Sequence, residues 1–492
     1  MMKRQLPEQS QQEPQQHLAT TSHHALGAVR HAEKRRTGTC RFADRIGTIS
    51  LDCFRKRIPA SFRETQKQTC VAAIVAHFTS DGHLQVQSLG VGTKFLPESI
   101  LQQELGKEQR TEVLVGMDGH SYLQGYGIRV RDCHAEVLAR RAFRRQLYVD
   151  MQQSPQGRCI LEKCNDGQFR LKSDVTLHMY TSSAPCGNAT IKKFATMKKE
   201  IFDPRLGPNE WPSEEHQAIQ PHSLKLGQFA LLLKKDRNVT EIIKRKPLQP
   251  GKMWPSNESD DWCPPGTTIV WSNQGSIHTC SDKICRWNYL GLQGSLLTSL
   301  LESPVYMASL TVGRKFTSCI CQRAVCCRAV EKAKSRKEQV PTTDTEESTT
   351  YSLHHPAVMG TGMYMDDSGV LGMSDESEFG QEVRFYSPLC YAWWPSMDGD
   401  EECIDGSTGL AVKGNDEPHV SRLSTMSLMR LHCTLSGEME SATVPTLESV
   451  RSFKNQVSPD YEGAKASLLT KNKMFRGWRR RGSLTKNDSN DL

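Results

Sequence analysis

The sequence predicts an α/β domain in which a mixed sheet is flanked by helices. Two observations carry that expectation. Apolar runs of strand length alternate along the chain with stretches of helical periodicity. A hydrophobic content of 37% over 492 residues suffices for one large globular unit or two ordinary domains. No stretch approaches the ~20 apolar residues of a membrane-spanning helix, so no membrane association is expected.

Residues 1–41 are polar and rich in Gln and His, the composition of a disordered segment. Order is expected from Phe42-Ala-Asp-Arg-Ile46. Residues 70–78 form an apolar run of strand length, and residues 84–89 alternate as a partner strand. Residues 90–94 read as a glycine-containing turn, followed by an irregular charged insertion near 95–130. From His134 the apolar positions Val137, Leu138, Phe143 and Leu147 fit one face of a helix with an arginine-rich flank. Residues 175–180 read as a strand leading into Pro185-Cys186-Gly187, with a helix starting near Asn188. A proline- and charge-rich surface excursion is expected over 203–265. One long helix over 282–301 precedes a strand at 305–312. A Lys/Glu/Thr-rich linker belongs to a further insertion near 330–375. Trp393-Trp394 reads as packing rather than a base-stacking platform. The C-terminal part from Arg451 is basic, and residues 483–492 form a flexible tail.

The formal charge of +8 suggests a polyanionic partner. Seventeen cysteines, an odd number, with no apolar leader in residues 1–20, suggest a reducing intracellular compartment, nucleus or cytoplasm. Most of these thiols are expected to be buried as small apolar groups. Cys319, Cys321, Cys326 and Cys327 raise the question of a second metal site. Their spacing fits a zinc knuckle poorly, which favours helix and core thiols.

Three fragments carry chemistry: His134-Ala-Glu136, Pro185-Cys186-Gly187 and Cys280-Ser-Asp-Lys283. One imidazole and two thiolates suit zinc with an open fourth position that can hold a water. Glu136 is placed to move that water's protons. Each fragment alone is common, and a lone Cys280 would more often be a core thiol. In this order, each at an expected element junction, they point to hydrolytic removal of an exocyclic amine from a nucleobase. Helix starts also stabilise thiolates. Ala189 stands three residues after Cys186, so the second thiolate is not on the same turn.

The blocks Asp132-Cys-His-Ala-Glu-Val-Leu-Ala-Arg-Arg141, Pro185-Cys-Gly187, Cys280-Ser-Asp-Lys-Ile-Cys-Arg-Trp-Asn288 and Gly291-Leu-Gln-Gly-Ser-Leu-Leu297 resemble the adenosine deaminase (editase) domain. That domain is shared by RNA-editing adenosine deaminases and the tRNA-specific adenosine deaminase, and the resemblance covers residues 42–482 with gaps. It implies a cytidine-deaminase-like core holding Zn2+ on His134, Cys186 and Cys280, with Glu136 catalytic. It also implies a C-terminal extension enclosing inositol hexakisphosphate. Arg140, Arg141, Lys283 and Arg286 match its phosphate ligands, with Tyr461, Lys465 and Trp478 as C-terminal contributors. Two adjacent arginines buried unpaired would repel, and a polyphosphate would pair them; the alternative is a basic helix face meeting solvent or RNA. Asp132, Lys283 and Gln293 resemble a relay between metal and cofactor. Thr93 and Lys94 match a turn near the substrate nucleotide, or form a turn without a ligand.

The chain departs from the family pattern at Arg131, Asn188 and Leu410. Only residues 1–41 precede the matching region, too few for a double-stranded-RNA-binding domain. The resemblance therefore implies tRNA as the partner, with conversion to inosine of the adenosine 3′ of the anticodon in alanine tRNA. The alternatives are a deaminase of structured or double-stranded RNA and an inactive RNA-binding relative. The intact His134, Glu136, Cys186 and Cys280 argue against the latter. Arg140–Arg145 and Arg479–Arg481 would hold RNA phosphates or be solvated. No obligate protein partner is expected.

Overall fold

Strand β1 (Val71–Phe78) lacks polar alternation because both of its faces are covered. In the computed structural model, Ile74, Ala76 and Phe78 belong to one apolar cluster, with Phe143, Leu147, Ile284 and Leu296. Val71, Ala73 and Val75 belong to another, with Ile46, Leu51 and Phe54. The structure describes residues 38–60, 69–96, 113–152, 158–187, 278–316, 318–329, 351–363, 388–395, 401–414, 417–438 and 446–471, together with residues 62, 100, 103, 104 and 189.

Helix α1 (Gly38–Arg57) supplies the second cluster's cover. Strand β2 (His83–Val91) pairs antiparallel with β1, as the alternation of residues 84–89 predicts. Of the expected turn over 90–94, only Gly92, at φ 154°, lies outside a strand, and the chain passes there from one sheet to another. Gly90 and Val91 remain in β2, and β3 (Thr93–Phe95) pairs antiparallel with β6 (Asp132–His134). The region between is not wholly irregular, because β4 (Val113–Val115) and β5 (Ser121–Leu123) form a hairpin. Helix α2 (Ala135–Gln152) follows β6 without a loop. A second hairpin, β7 (Leu161–Lys163) and β8 (Phe169–Leu171), leads to β9 (Val175–Ser183), which pairs antiparallel with β1.

Residues 282–301 are two helices rather than one: α3 (Cys280–Leu290) and α4 (Gly294–Thr298). The break is Gly291, whose φ of 82° lies where only glycine is comfortable, and whose N–H returns to Trp287 O. The Gln293 side chain then holds the gap, donating to Leu290 O and accepting from Val305 N. Helical periodicity runs through this break, so the pattern alone conceals it. Strand β10 (Ser309–Arg314) starts later than the expected 305 and runs parallel to β9.

Helix α5 (Ser318–Val325) crosses to β11 (Ala357–Gly360), parallel to β10. On the other side, β12 (Leu389–Trp393) joins β2, followed by β13 (Glu402–Asp405) and β14 (Leu410–Val412). The sheet order is β11-β10-β9-β1-β2-β12-β13-β14, a large mixed sheet flanked by helices. Helices α6 (Thr425–Ser436), α7 (Leu447–Val457) and α8 (Pro459–Lys471) complete the described C-terminal part. Trp394 is buried beside Val130, Leu138 and Ile404, and Trp393 among the α1-side residues, so both pack as expected. No helix among the described residues is long and apolar enough to cross a membrane. Helix α1 begins at Gly38, so residues 38–41 of the segment expected to be disordered are helical. Residues 1–37 lie outside the described residues, as do the helix near Asn188, the excursion over 203–265, the linker over 332–350, Trp478, Arg479–Arg481 and the tail.

Candidate metal centre

His134 is the last residue of β6, held opposite Thr93 by the short ladder. Its Nδ1 lies 2.7 Å from Asp132 Oδ1, which also accepts from the His134 backbone N–H at 2.9 Å. A carboxylate can only accept, so Nδ1 carries the proton and the Nε2 lone pair is left to a metal. The other Asp132 oxygen accepts from Lys283 Nζ. Phe95 stacks on the imidazole with centroids 5.8 Å apart and an interplanar angle of 6°.

Cys280 opens α3. Thr279 caps that helix, its hydroxyl accepting from Asp282 N at 3.4 Å and donating to Asp282 Oδ2 at 2.7 Å. The turn at Pro185-Cys186-Gly187 lies against this start. Cys186 O accepts from Ser281 N at 3.1 Å and Cys186 Sγ from Cys280 N at 3.3 Å. Gly187 has φ 95°, and a Cβ there would stand 2.3 Å from Thr279 Oγ1, so the turn needs glycine. A hydrogen bond from the Cys280 thiol, helped by His134 and the Cys280 backbone N–H, pulls the Cys186 pKa below the ordinary thiol value against burial. Burial, reinforced by that neighbour, pushes Cys280 well above it.

One ligand atom from each of His134, Cys186 and Cys280 lies within 4.8 Å of the others, and all three residues are buried. The donor set fits zinc with an open fourth position. Glu136, in the first turn of α2, is buried beside them. Burial raises its pKa, and the proximity of His134 and a hydrogen bond with the Cys280 thiol offset part of the rise. Thr93 is buried and Lys94 half-buried in β3, not in a turn.

The cofactor residues divide. On α2, Arg141 Nη1 donates to Leu423 O at 2.7 Å and Arg145 Nη1 to Arg422 O at 3.2 Å. About 100° round the helix, Arg140 and Arg144 gather over the start of α4. A Cβ on Gly294 would stand 3.1 Å from Arg140 Nη2 and 3.4 Å from Arg144 Cζ. The Nε atoms of both are buried without a hydrogen-bond partner, as is Ser295 Oγ. Burial, then Arg144, pushes the Arg140 pKa down to about 9, and Tyr461 and Arg286 also act on it. Arg140, Arg286 and Tyr461 thus come together. Arg144 joins them, a residue the sequence reading missed although its i,i+4 spacing from Arg140 puts both on one face. Half-buried guanidinium groups whose Nε atoms lack a hydrogen-bond partner, with Arg140 also 4.9 Å from the Trp287 ring centre, fit a polyanion. Lys465 pairs with Glu462 at 2.5 Å, and Gln293 uses both ends of its amide on the helix break. The arginine flank expected to hold RNA phosphates or be solvated is half-buried, with Arg141 and Arg145 each spending a head-group N–H on residues 422–423. Arg131, the departure from the family pattern, is buried with Glu104, Nε to Oε2 at 2.7 Å, and lies 4.0 Å from the Tyr126 ring centre.

The mixed sheet, its flanking helices and this cluster at the helix starts are those of a deaminase fold. Residues 117–482 match the model of the adenosine-deaminase (editase) domain, and the chain belongs to that family. The double-stranded RNA-specific adenosine deaminase of Mus musculus is 27% identical over 392 residues, 79% of this chain and 27% of that protein. The double-stranded RNA-specific editase Adar of Drosophila melanogaster is 27% identical over 297 residues, 59% of this chain and 36% of that protein. The tRNA-specific adenosine deaminase 1 of Drosophila melanogaster is 26% identical over 271 residues, 54% of each. The chain therefore spans between about a quarter and about half of the length of these relatives.

Proposed function

We propose that this chain hydrolyses the exocyclic amine of adenosine in RNA, yielding inosine and ammonia, and that its substrate is tRNA, at the adenosine 3′ of the anticodon of alanine tRNA. The observation that carries the reading is the convergence of His134, Cys186 and Cys280 from three separate segments, with Glu136 buried at their side. Zinc, when bound by these three residues, supplies a Lewis acid that acidifies a water at its fourth position. Glu136 would take one proton from the attacking water and deliver it to the purine ring nitrogen, then take the proton of the added hydroxyl and pass it to the departing amine, which leaves as ammonia. Its raised pKa suits a group that must accept and release within one cycle. Asp132 fixes the imidazole tautomer, and Lys283 balances the Asp132 charge.

Arg140, Arg144, Arg286 and Tyr461 would hold inositol hexakisphosphate, whose phosphates pair buried guanidinium groups. An anticodon loop presents partly exposed bases, so lifting one from its stack costs less than in a duplex. The shared length with the tRNA-specific relative, 54% of each chain, supports this substrate. A second reading, double-stranded RNA, is favoured by the wider coverage of this chain, 79%, in the match to the double-stranded RNA-specific deaminase.

The test is inosine formation on an alanine tRNA transcript and on duplex RNA, with Glu136→Gln as control. Conversion of the tRNA, lost in the variant by about 10²–10⁴-fold, is expected. Conversion of duplex alone moves the assignment to the second reading. Activity retained by Glu136→Gln means another group is the base. RNA binding without conversion of either substrate identifies an inactive relative.

A further inference from the structure

A second group of metal-ligating side chains lies at the far end of α5. The helix runs into a short 3-10 turn (Cys327–Ala329), which sets Cys326 and Cys327 side by side. Cys326 is fully buried, whereas Cys327 is exposed. His355, also exposed, sits on the segment that enters the edge strand β11. The two sulfurs are 3.5 Å apart, and Cys327 Sγ lies 3.8 Å from His355 Nδ1. One ligand atom from each of the three residues lies within 4.8 Å of the others.

These separations can be compared with a tetrahedron. With Zn–S near 2.3 Å and Zn–N near 2.05 Å, the ligand–ligand edges are about 3.8 Å for S···S and about 3.6 Å for S···N. Two of the three edges agree within a few tenths of an ångström before any ion draws the ligands in, and the third, Cys326 to His355, lies within 4.8 Å. Gln322 Nε2 lies 3.0 Å from Cys326 Sγ as a donor. The Cys326 thiol in turn donates to Gln322 O at 3.1 Å, the proton that an ion would displace, after which the amide N–H orients the thiolate. Cys327 and His355 are exposed, so water has access to supply a fourth ligand.

We propose that Cys326, Cys327 and His355 form a second, structural site for zinc or another thiophilic divalent ion. The ion ties the end of α5 to the approach to β11. The same junction is bridged by Gln322 Nε2 to Pro356 O at 3.2 Å, by Asn288 Nδ2 to Val325 O at 2.9 Å and by His354 N to Asn288 O at 2.8 Å. Binding converts two thiols to thiolates, so up to about two protons leave for each ion bound. No carboxylate accompanies these ligands in the cluster, and the site is assigned no chemistry beyond holding the two segments together.

The test titrates the full chain, kept reduced with a phosphine, with zinc alone against a chromophoric chelator. About two equivalents are expected for the unsubstituted protein. Cys327→Ser and His355→Ala, both exposed positions, each lose one equivalent. Cys186→Ser loses the other and keeps this one. Cobalt added to Cys186→Ser protein gives a thiolate-to-metal absorption band that disappears when Cys327→Ser is added. One equivalent in the unsubstituted protein overturns the proposal. So does a second equivalent that survives both Cys327→Ser and His355→Ala, which would mark it as adventitious. If Cys327→Ser does not fold, the His355→Ala titration decides.

Discussion

The two Cys–His clusters contain the same donors in different settings. His134, Cys186 and Cys280 come from the end of a strand, a turn and a helix start, and all three are buried. Each is held by something else: Asp132 on the imidazole, backbone N–H groups on Cys186, and the Thr279 cap on the helix that Cys280 opens. A carboxyl, Glu136, stands alongside. Cys326 and Cys327 lie at a helix end and His355 on the approach to β11, two of the three exposed, with one amide donor for support. The contrast teaches that ligand identity does not separate chemistry from stapling. Burial, an accompanying acid and ligands oriented by second partners do.

That contrast is broken or upheld first by paired substitutions. Cys186→Ser should lower inosine formation by more than about a hundredfold and remove one metal equivalent. Cys327→Ser should also remove one equivalent yet leave activity within about twofold. Equal losses of activity would erase the distinction. Next in size is Asp132→Asn, which keeps the shape but weakens the hold on the His134 proton. A fall of about 10–100-fold in zinc affinity or in activity is expected. An unchanged chelator competition curve would show that the imidazole needs no orienting partner.

What the sequence could and could not reveal follows the same line. The first cluster is legible because its local chemistry is forced. Gly187 must be glycine to pass the Thr279 cap, so Pro-Cys-Gly is a readable fragment. Strands β1, β2 and β9 are legible because residues facing opposite clusters alternate or run continuously apolar. The break at Gly291 is not, because helical periodicity continues through it and only the backbone angle ends the helix. Arg144 is hidden for a different reason. Spacing sorts Arg140 with Arg144 and Arg141 with Arg145, but which pair meets α4 and which meets residues 422–423 depends on how distant segments pack. His355 is likewise joined to Cys327 only by the fold, since residues 328–354 separate them.

The arginine pairs allow a sharper test of the interior around the first cluster. Arg144→Leu removes one buried guanidinium group. If the pocket holds inositol hexakisphosphate, the variant should lose about 1.5–3 kcal/mol, read as a lower melting temperature, and carry less phosphate after denaturation and mass analysis. If Arg144 is simply a buried cation without a partner, an apolar replacement should raise the melting temperature instead.

The smallest expected effect isolates what burial alone does to a carboxyl on α2, away from the metal ligands. Asp150 lies near the opposite end of that helix from Glu136, and burial raises its pKa from 3.8 to about 6, against a hydrogen bond from Gln146 Nε2 at 2.7 Å. A carboxyl whose folded pKa lies above its unfolded value binds its proton more tightly in the native state. Its contribution is therefore intact below pH ~4 and lost as the pH rises through ~6. Asp150→Asn keeps the amide contact and removes the titration. The variant should match the unsubstituted protein near pH 4 and exceed it by about 1–2 kcal/mol at pH 7, after discounting for partial solvation. Denaturant midpoints at the two pH values measure this. A gap that shrinks with rising pH would mean that Asp150 is stabilised as the anion. At Asp150 the contact with Gln146 would then outweigh burial, whereas at Glu136 burial outweighs the lowering effects of His134 and Cys280.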